Sequence, residues 1–302
     1  MDKIGIVTIT YNSEKVLVPF IDCIIKQTYS NFNLYVVDNN SSDNTYDLLS
    51  EIKDDRVVLI KNQKNLGVAK GNNQGILKSI DDNCDQILLI NNDVEFESKL
   101  LEKLILAQEK SNSSLVSPKI NYFSSKNKIW YAGSWFDKKR GFLPIHRGMG
   151  EIDCRQYDKV EQVEYSPTCC CLITKKVFED VGLMDEDYFV YFDDTDFSYR
   201  VLNDGRHKMI YYPFVKFYHK VGSLTNSFDK KQYRGDFFIK QNISNHIFFL
   251  KKIGSLFAYT YIFWMFFRNN IRFFVNPRFK KNLSTLLLIN KSYFVGLFKK
   301  KK

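Results

Sequence analysis

From residue 4 to residue 110 the chain alternates short apolar runs with stretches of helical spacing, and no other feature constrains its fold as much. Residues 4–9 read as a strand and 14–27 as a helix with Ser13 as its N-cap. A second strand follows at 34–37 and a helix at 45–51. Residues 57–60, 68–79, 86–90 and 98–110 continue the series as strand, helix, strand and helix. This pattern predicts an α/β fold, an open and mostly parallel sheet flanked by helices on both faces. Ligands of such sheets bind outside the carboxyl ends of the strands. Polar clusters follow the first, second and fourth apolar runs.

Residues 118–167 show no clear period and read as loops and short strands. Residues 169–174 predict a strand, and 175–181 a helix ending at Gly182. Residues 201–213 are expected to close the α/β part, with a strand-like stretch at 210–218. The length of 302 residues suits one large domain, residues 1–228, and a smaller appendage, residues 229–302.

Charge divides the chain in the same place. Residues 229–302 carry 16 Lys plus Arg against two acids, a charge of +14, while residues 1–228 carry 28 basic and 32 acidic residues, or −4. A basic segment rich in Phe, Tyr and Trp suggests an anionic surface. Residues 253–267 carry no charge, but as a helix they span only about 22 Å, short of the ~30 Å hydrocarbon core. A second apolar run, 283–298, is interrupted by Asn290 and Lys291. Two readings stay open: interfacial helices lying in one leaflet, which the flanking Lys and Arg favour, and a helical subdomain packed on the core. Long apolar runs fit lipid better than a nucleic-acid groove, so no nucleic-acid partner is expected. No signal peptide is apparent, and none of the six Cys forms a C-x-x-C pair. The expectation is a cytoplasmic protein with buried, reduced thiols, peripheral on the inner face of the plasma membrane. Self-association into a homo-oligomer stays open.

Four clusters carry the chemistry. Val37-Asp38-Asn39-Asn40-Ser41-Ser42-Asp43 aims a carboxylate out of a strand end toward a base or ribose hydroxyl, with Asp43 able to cap the next helix. Asn65 to Gly75 opens a helix with three glycines and Lys70, which suits close approach to phosphate. Asn91-Asn92-Asp93 ends a buried strand in oxygen ligands of the kind Mg²⁺ or Mn²⁺ takes alongside diphosphate and water. Between Asp185 and Asp196, six acids are interleaved with large aromatics. Burial and like charge there raise a carboxyl toward the range of a general base, and Arg200 can pair with Asp196 across one turn. His219 follows the last strand-like stretch, open to metal or phosphate contact.

Taken in order, these motifs resemble the family-2 glycosyltransferases of the GT-A fold, in particular the bacterial rhamnosyltransferase-like branch. The resemblance covers residues 3–223. Thr10-Tyr11-Asn12 is similar to the family's first-strand signature, and residues 37–43 to its pyrimidine-contacting turn. Asn65–Gly75 is similar to the N-x-G-x-A-x-G-x-N-x-G segment, and Asn91-Asn92-Asp93 sits where D-x-D lies. Asp193-Asp194-Thr195-Asp196 with Arg200 is similar to the late E-D-x-D…R motif. Trp130-Tyr131-Ala132-Gly133 and His146-Arg147-Gly148 also look like patterns of this branch. Two departures are Asn91 for the first Asp of D-x-D and Asp193 for the usual Glu.

The resemblance implies an inverting, metal-dependent hexosyltransferase in bacterial surface polysaccharide synthesis. It would move a sugar from a UDP- or dTDP-linked donor to a hydroxyl of a glycan or lipid-linked acceptor. Asp93, with Asn91 and His219, would hold Mg²⁺ or Mn²⁺. Asp194, or its neighbour Asp193, would be the base. Thr10, Tyr11, Asn12, Asp38, Asn65, Gly67, Lys70, Asn92, Asp196 and Arg200 would bind donor or substrate. Two alternatives are a nucleotidyltransferase, which needs a Gly- and Lys/Arg-rich loop after the first strand, and a non-catalytic nucleic-acid-binding protein.

Overall fold

The computed structural model describes residues 2–221 and 235–300. The expected boundary between residues 228 and 229, the end of the family resemblance at Gly222-Ser223, and the last two lysines lie outside the described residues. The first half runs β1 (Ile4–Thr10), α1 (Glu14–Ile25), β2 (Phe32–Asp38), α2 (Thr45–Ser50), β3 (Val57–Lys61), α3 (Val68–Asp81) and β4 (Gln86–Ile90). It continues with β5 (Val94–Phe96), α4 (Leu100–Ser111) and β6 (Leu115–Pro118). The irregular middle resolves into β7 (Ile120–Tyr122), β8 (Ser125–Tyr131), β9 (Ser134–Asp137), β10 (Leu143–His146) and β11 (Glu161–Gln162). Then come β12 (Cys170–Thr174), α5 (Lys175–Val181), α6 (Asp193–Asp204), β13 (Met209–Tyr212) and β14 (Phe217–His219). The extension consists of α7 (Asp236–Ile253), α8 (Leu256–Val275) and α9 (Leu283–Phe298).

The main sheet has the order β11-β13-β6-β12-β4-β1-β2-β3. β3, β2, β1 and β4 are parallel, and β12 runs antiparallel to both β4 and β6. The side chains of β1, β2, β4 and β12 are buried almost throughout, as the unbroken apolar runs require, whereas those of the edge strand β3 are half-buried. The strand order reverses between β1 and β4, which opens a crevice at their carboxyl ends. Thr10 and Asn91 stand on its two sides. A second sheet, β5-β14-β7-β8, brings His219 into register with Val94, next to Asp93.

Three expectations need correcting. The stretch 210–218 is two strands in different sheets, because Pro213 cannot donate a ladder hydrogen bond and ends β13. Residues 201–204, in the stretch expected to close the α/β part, are the last turn of α6. Ser13 occupies the N-cap position of α1, yet its hydroxyl makes no cap bond; it accepts from Tyr11 N at 3.2 Å and Asn92 Nδ2 at 3.0 Å.

The extension is built on the core. α7 buries Ile247, Phe248 and Phe249 against Phe142, Tyr188 and Phe192. Gly296 of α9 lets the two helices close up, since a Cβ there would lie 2.6 Å from Ser244 O. Gly254, at φ +68°, divides the uncharged run between α7 and α8. Among the described residues no helix is long and apolar enough to cross a membrane. The outer side of α8 stays apolar all the same: Phe263 and Phe274 are each 68% exposed. All six cysteines are free; Cys84, Cys169, Cys170 and Cys171 are buried, whereas Cys154 is exposed.

Candidate active site

The β1–β2 side of the crevice is a mesh of short polar side chains. Asp38 is fully buried at the end of β2, where Thr10 Oγ1 donates to its Oδ1 at 2.9 Å and Ser41 N to its Oδ2 at 3.1 Å. Asn12, at φ +52°, donates from its N–H to Ser41 Oγ at 2.9 Å and accepts from Ser42 N at 2.8 Å. Asp43 accepts from Thr45 N at 3.1 Å and Glu14 N at 3.2 Å, so it serves the first turns of both α1 and α2. Tyr11 is half-exposed above this turn.

The α3 entrance differs from its sequence reading. Asn65 Oδ1 accepts from Gly67 N at 2.9 Å, and Gly67 sits at φ +85° with Phe189 O only 2.4 Å from where a Cβ would be. Val68 N then donates to Phe189 O at 2.7 Å, so the 182–192 loop closes over the helix start. Gly71 and Gly75 face β1 instead of a ligand; a Cβ at Gly75 would lie 2.3 Å from Val7. These two glycines let helix and sheet pack closely. Lys70 pairs with Glu186 at 3.0 Å.

At the end of β4 the three polar residues separate. Asn91 is exposed. Asn92 Nδ2 ties β4 to the β1 side, donating to Ile9 O at 2.8 Å and Ser13 Oγ at 3.0 Å. Asp93 is buried, and His219 Nε2 stands 3.2 Å from its Oδ1. Burial pulls the imidazole pKa down, but Cys169 and Asp93 outweigh it and raise the group to about 10. The pair is a carboxylate and an imidazole in direct contact inside the protein. A carboxylate and an imidazole in contact would suit a cation that takes its remaining ligands from diphosphate and water. Among the described residues no group of three or more His, Cys, Asp or Glu stands ready to hold a metal unaided.

A row of rings leads from this pair to the acidic segment. Trp130 lies 5.0 Å from His219 and 4.8 Å from His146, centroid to centroid. His146 lies 5.6 Å from Tyr165, whose hydroxyl donates to Asp194 Oδ2 at 2.6 Å. Asp193 and Asp194 begin α6. Burial raises both carboxyls above the usual carboxylate range, and the adjacent Asp194 adds to the effect on Asp193. The preceding Tyr191 and Phe192 take φ +65° and +70°, a strained conformation for large side chains. Asn245 of α7 holds it, donating to Val190 O at 2.9 Å and Tyr191 O at 3.1 Å.

Asp196 and Arg200, expected at the substrate, pair at 2.8 Å within a buried network. Arg200 also donates to Val181 O and Leu183 O at 2.8 and 2.7 Å, and Lys252 of α7 joins Asp196 to Asp185. The network fastens the segment carrying Asp194 to the extension. Sequence reasoning missed Tyr165, Asn245 and Lys252. It also missed the Asn39–Asn62–Gln74 amide chain, which bridges β2, the end of β3 and α3.

Solved structures share this architecture. The crystal structure of S. aureus TarS 1–349 superposes with a TM-score of 0.60 at 12% identity, covering 98% of this chain and 81% of that one. GalNAc-T7, crystallised with UDP, GalNAc and Mn²⁺, superposes with a TM-score of 0.58 at 13% identity, covering 72% of this chain and 44% of that one. The fold is the GT-A type: a mixed, mostly parallel sheet flanked by helices, with a helical region at its C-terminal end.

Residues 5–182 match the description Glycosyl transferase family 2, and the chain belongs to that family. Low-salt glycan biosynthesis hexosyltransferase Agl10 of Haloferax volcanii is 27% identical over 213 residues, 68% of this chain and 63% of its own length. dTDP-rhamnosyl transferase RfbF of Shigella flexneri is 29% identical over 217 residues, 72% of this chain and 68% of its own.

Proposed function

We propose that this protein is an inverting, metal-dependent glycosyltransferase of surface-glycan synthesis. It transfers a hexose from a UDP- or dTDP-linked donor to a hydroxyl of a glycan or lipid-linked acceptor. The observation that carries the reading is the row Asp93–His219–Trp130–His146–Tyr165–Asp194, which links a buried carboxylate–imidazole pair to a raised-pKa carboxylate through successive side-chain contacts. Membership in family 2 supports it, as do the glycan-synthesis relatives.

Each residue then has a task. The turn built by Thr10, Asn12 and Asp38 holds the nucleoside, with Tyr11 as a stacking face. Asp93 and His219, with Asn91, would hold Mg²⁺ or Mn²⁺, which when bound neutralises the leaving nucleoside diphosphate. Asp194 takes the proton of the acceptor hydroxyl, and Tyr165 orients it. Asn65 and Gly67 shape the α3 entrance. Lys70 and Asn92 brace the crevice walls, and Asp196 with Arg200 positions the base. The apolar outer side of α8, flanked by basic residues, suits peripheral contact with an anionic leaflet on the cytoplasmic side. The nucleotidyltransferase alternative lacks support, because the turn after β1 offers Thr10-Tyr11-Asn12-Ser13 where a basic phosphate loop is needed.

The test is donor hydrolysis across UDP-, dTDP- and GDP-sugars with Mn²⁺ or Mg²⁺. Release of nucleoside diphosphate from one donor, dependent on metal and on Asp194, is the expected result. No release from any donor, or pyrophosphate formed from a nucleoside triphosphate, sinks the reading.

A further inference from the structure

We propose that the peptide group joining Gly67 to Val68 positions the carboxylate of Asp194, and that Asn39, next to Asp38, holds that group in place. A peptide unit is planar and stiff, so whatever fixes its carbonyl also aims its N–H. The Gly67 carbonyl accepts from Asn39 Nδ2 at 3.0 Å and from Gly71 N at 3.3 Å. At the other end of the same unit, Val68 N donates to Phe189 O at 2.7 Å. Val68 is the first residue of α3, so its N–H lies outside the helix ladder and can bond another segment. Residue 67 has to be glycine: its φ is +85°, and a Cβ would lie 2.4 Å from Phe189 O.

Asn39 acts through its neighbours. It is only 2% exposed and so offers no surface to a ligand. Its N–H donates to Thr10 O at 2.8 Å, which fixes its backbone to the end of β1. Its side-chain amide can point only one way. Asn39 Oδ1 accepts from Asn62 Nδ2 at 2.9 Å, and Asn62 exchanges two further bonds with Gln74, at 2.8 and 2.9 Å. With its oxygen committed to Asn62, Asn39 has its NH₂ left for Gly67. Thr10, Asp38 and the start of α3 are thereby held as one unit, and Phe189 is bonded to it.

Asp194 follows Phe189 by five residues, and the backbone between them is held step by step. Asn245 donates to Val190 O and Tyr191 O, Tyr191 and Phe192 take positive φ, and Phe192 O accepts from Asp196 N at 2.8 Å as α6 begins. A shift of the Phe189 carbonyl therefore reaches Asp194 with little slack to absorb it. α3 grips the same loop at a second point, where Asn73 accepts from Met184 N at 3.0 Å and donates to Met184 O at 2.9 Å. The Lys70–Glu186 pair between these points is nearly half exposed and adds little. A misplacement of about 1 Å can cost a reaction about 10²-fold, so a base fastened to α3 keeps its distance from a donor seated against Asp38. The effect on turnover rests on the glycosyltransferase reading; the bridge itself does not.

The experiment compares Val68→Pro with Val68→Ala in the full chain. Proline has no N–H, is accommodated at the first position of a helix, and suits a preceding residue of extended ψ, as Gly67 has at −178°. It deletes the bond to Phe189 O and puts ring carbon where the hydrogen was, whereas alanine keeps the bond. Donor hydrolysis, UDP affinity with Mn²⁺, the melting transition and amide hydrogen exchange over residues 189–196 are measured for each. Val68→Pro should lower kcat about 10²-fold against Val68→Ala, keep UDP affinity within about threefold, and speed exchange over 189–196. Asn39→Ala leaves the Val68 N–H in place and is an independent route to the same readouts, with kcat lowered about tenfold. Equal kcat and equal exchange in folded Val68→Pro and Val68→Ala overturn the proposal. So does a loss of UDP affinity as large as the loss of kcat, which makes the bridge a support of the donor site, and so does a folded Asn39→Ala with wild-type kcat. Faster exchange in Val68→Pro, when the wild-type protein hydrolyses no sugar nucleotide, upholds the bridge and removes the glycosyltransferase reading instead.

Discussion

Tyr165 donates a 2.6 Å hydrogen bond to Asp194 Oδ2, and this contact sets the working pH of the proposed base. Burial raises the Asp194 carboxyl, while the Tyr165 bond to its ionised form pulls the other way. The phenol itself is held well above its ordinary pKa by burial and the Asp194 charge, so it remains a donor at any useful pH. Transfer needs ionised Asp194, so kcat should fall on the acid side along a limb lying above the usual carboxylate range. Tyr165→Phe should move that limb to higher pH. Asp194→Asn should cost transfer about 10²–10⁴-fold while leaving UDP affinity near normal. Rapid turnover by Asp194→Asn would reject it as the base, and an unmoved limb in Tyr165→Phe would reject the hydrogen bond as its tuner.

The Asp93–His219 pair predicts how metal enters. A proton on His219 and a cation at Asp93 compete for the same pocket. Mn²⁺ binding in the presence of UDP, read by electron paramagnetic resonance, should weaken on the order of tenfold or more in Asp93→Asn. Chelation with EDTA should abolish donor hydrolysis in the wild-type protein. Mn²⁺ binding that ignores the Asp93 substitution would place the metal elsewhere.

Asn245 lies far along the chain from the acidic segment, yet it clamps the strained turn at Val190 and Tyr191. It is a positioning residue, since it touches no reacting atom. Asn245→Ala removes two hydrogen bonds in a buried place and should destabilise the protein by about 1–3 kcal/mol. It should also lower kcat by up to about 10²-fold through misplacement of Asp194, with donor KM little changed. A fall in stability with kcat intact would reduce Asn245 to a packing role.

The parts legible in the sequence are those that short-range rules determine. Periodicity placed β1 to β4 to within one or two residues at each end, and the bounds of α5 and α9 followed from Gly182 and the apolar run 283–298. The Asp196–Arg200 pair followed from helical spacing. Contacts between distant segments left no such trace. His219 reaches Asp93 because β14 pairs with β5, and nothing near either residue encodes that register. Tyr165 and Asn245 gained their partners only when β11–β12 and α7 folded against α6. Gly71 and Gly75 look alike whether a ligand or a strand lies opposite, and only the structure shows Ile9 and Val7 there.

Acid should loosen the joint between domain and extension through His246. This side chain is 4% exposed, stacks on Phe192 at 5.2 Å and bonds Gly141 O at 2.7 Å, so it links α7 to both the acidic segment and the β9–β10 turn. Burial lowers its pKa from 6.5 to about 4, with Arg268 adding to the effect. Between those values the unfolded chain binds a proton that the folded protein refuses, so stability falls as pH drops from 6.5 to 4. The full shift is worth about 3 kcal/mol. His146 is lowered in the same direction, to about 4, and contributes separately. Chemical denaturation at steps from pH 7.5 to 4.5 should show this loss, and His246→Gln should flatten part of it while lowering stability at neutral pH. An unchanged pH slope in a folded His246→Gln protein would mean that the joint takes up a proton without opening.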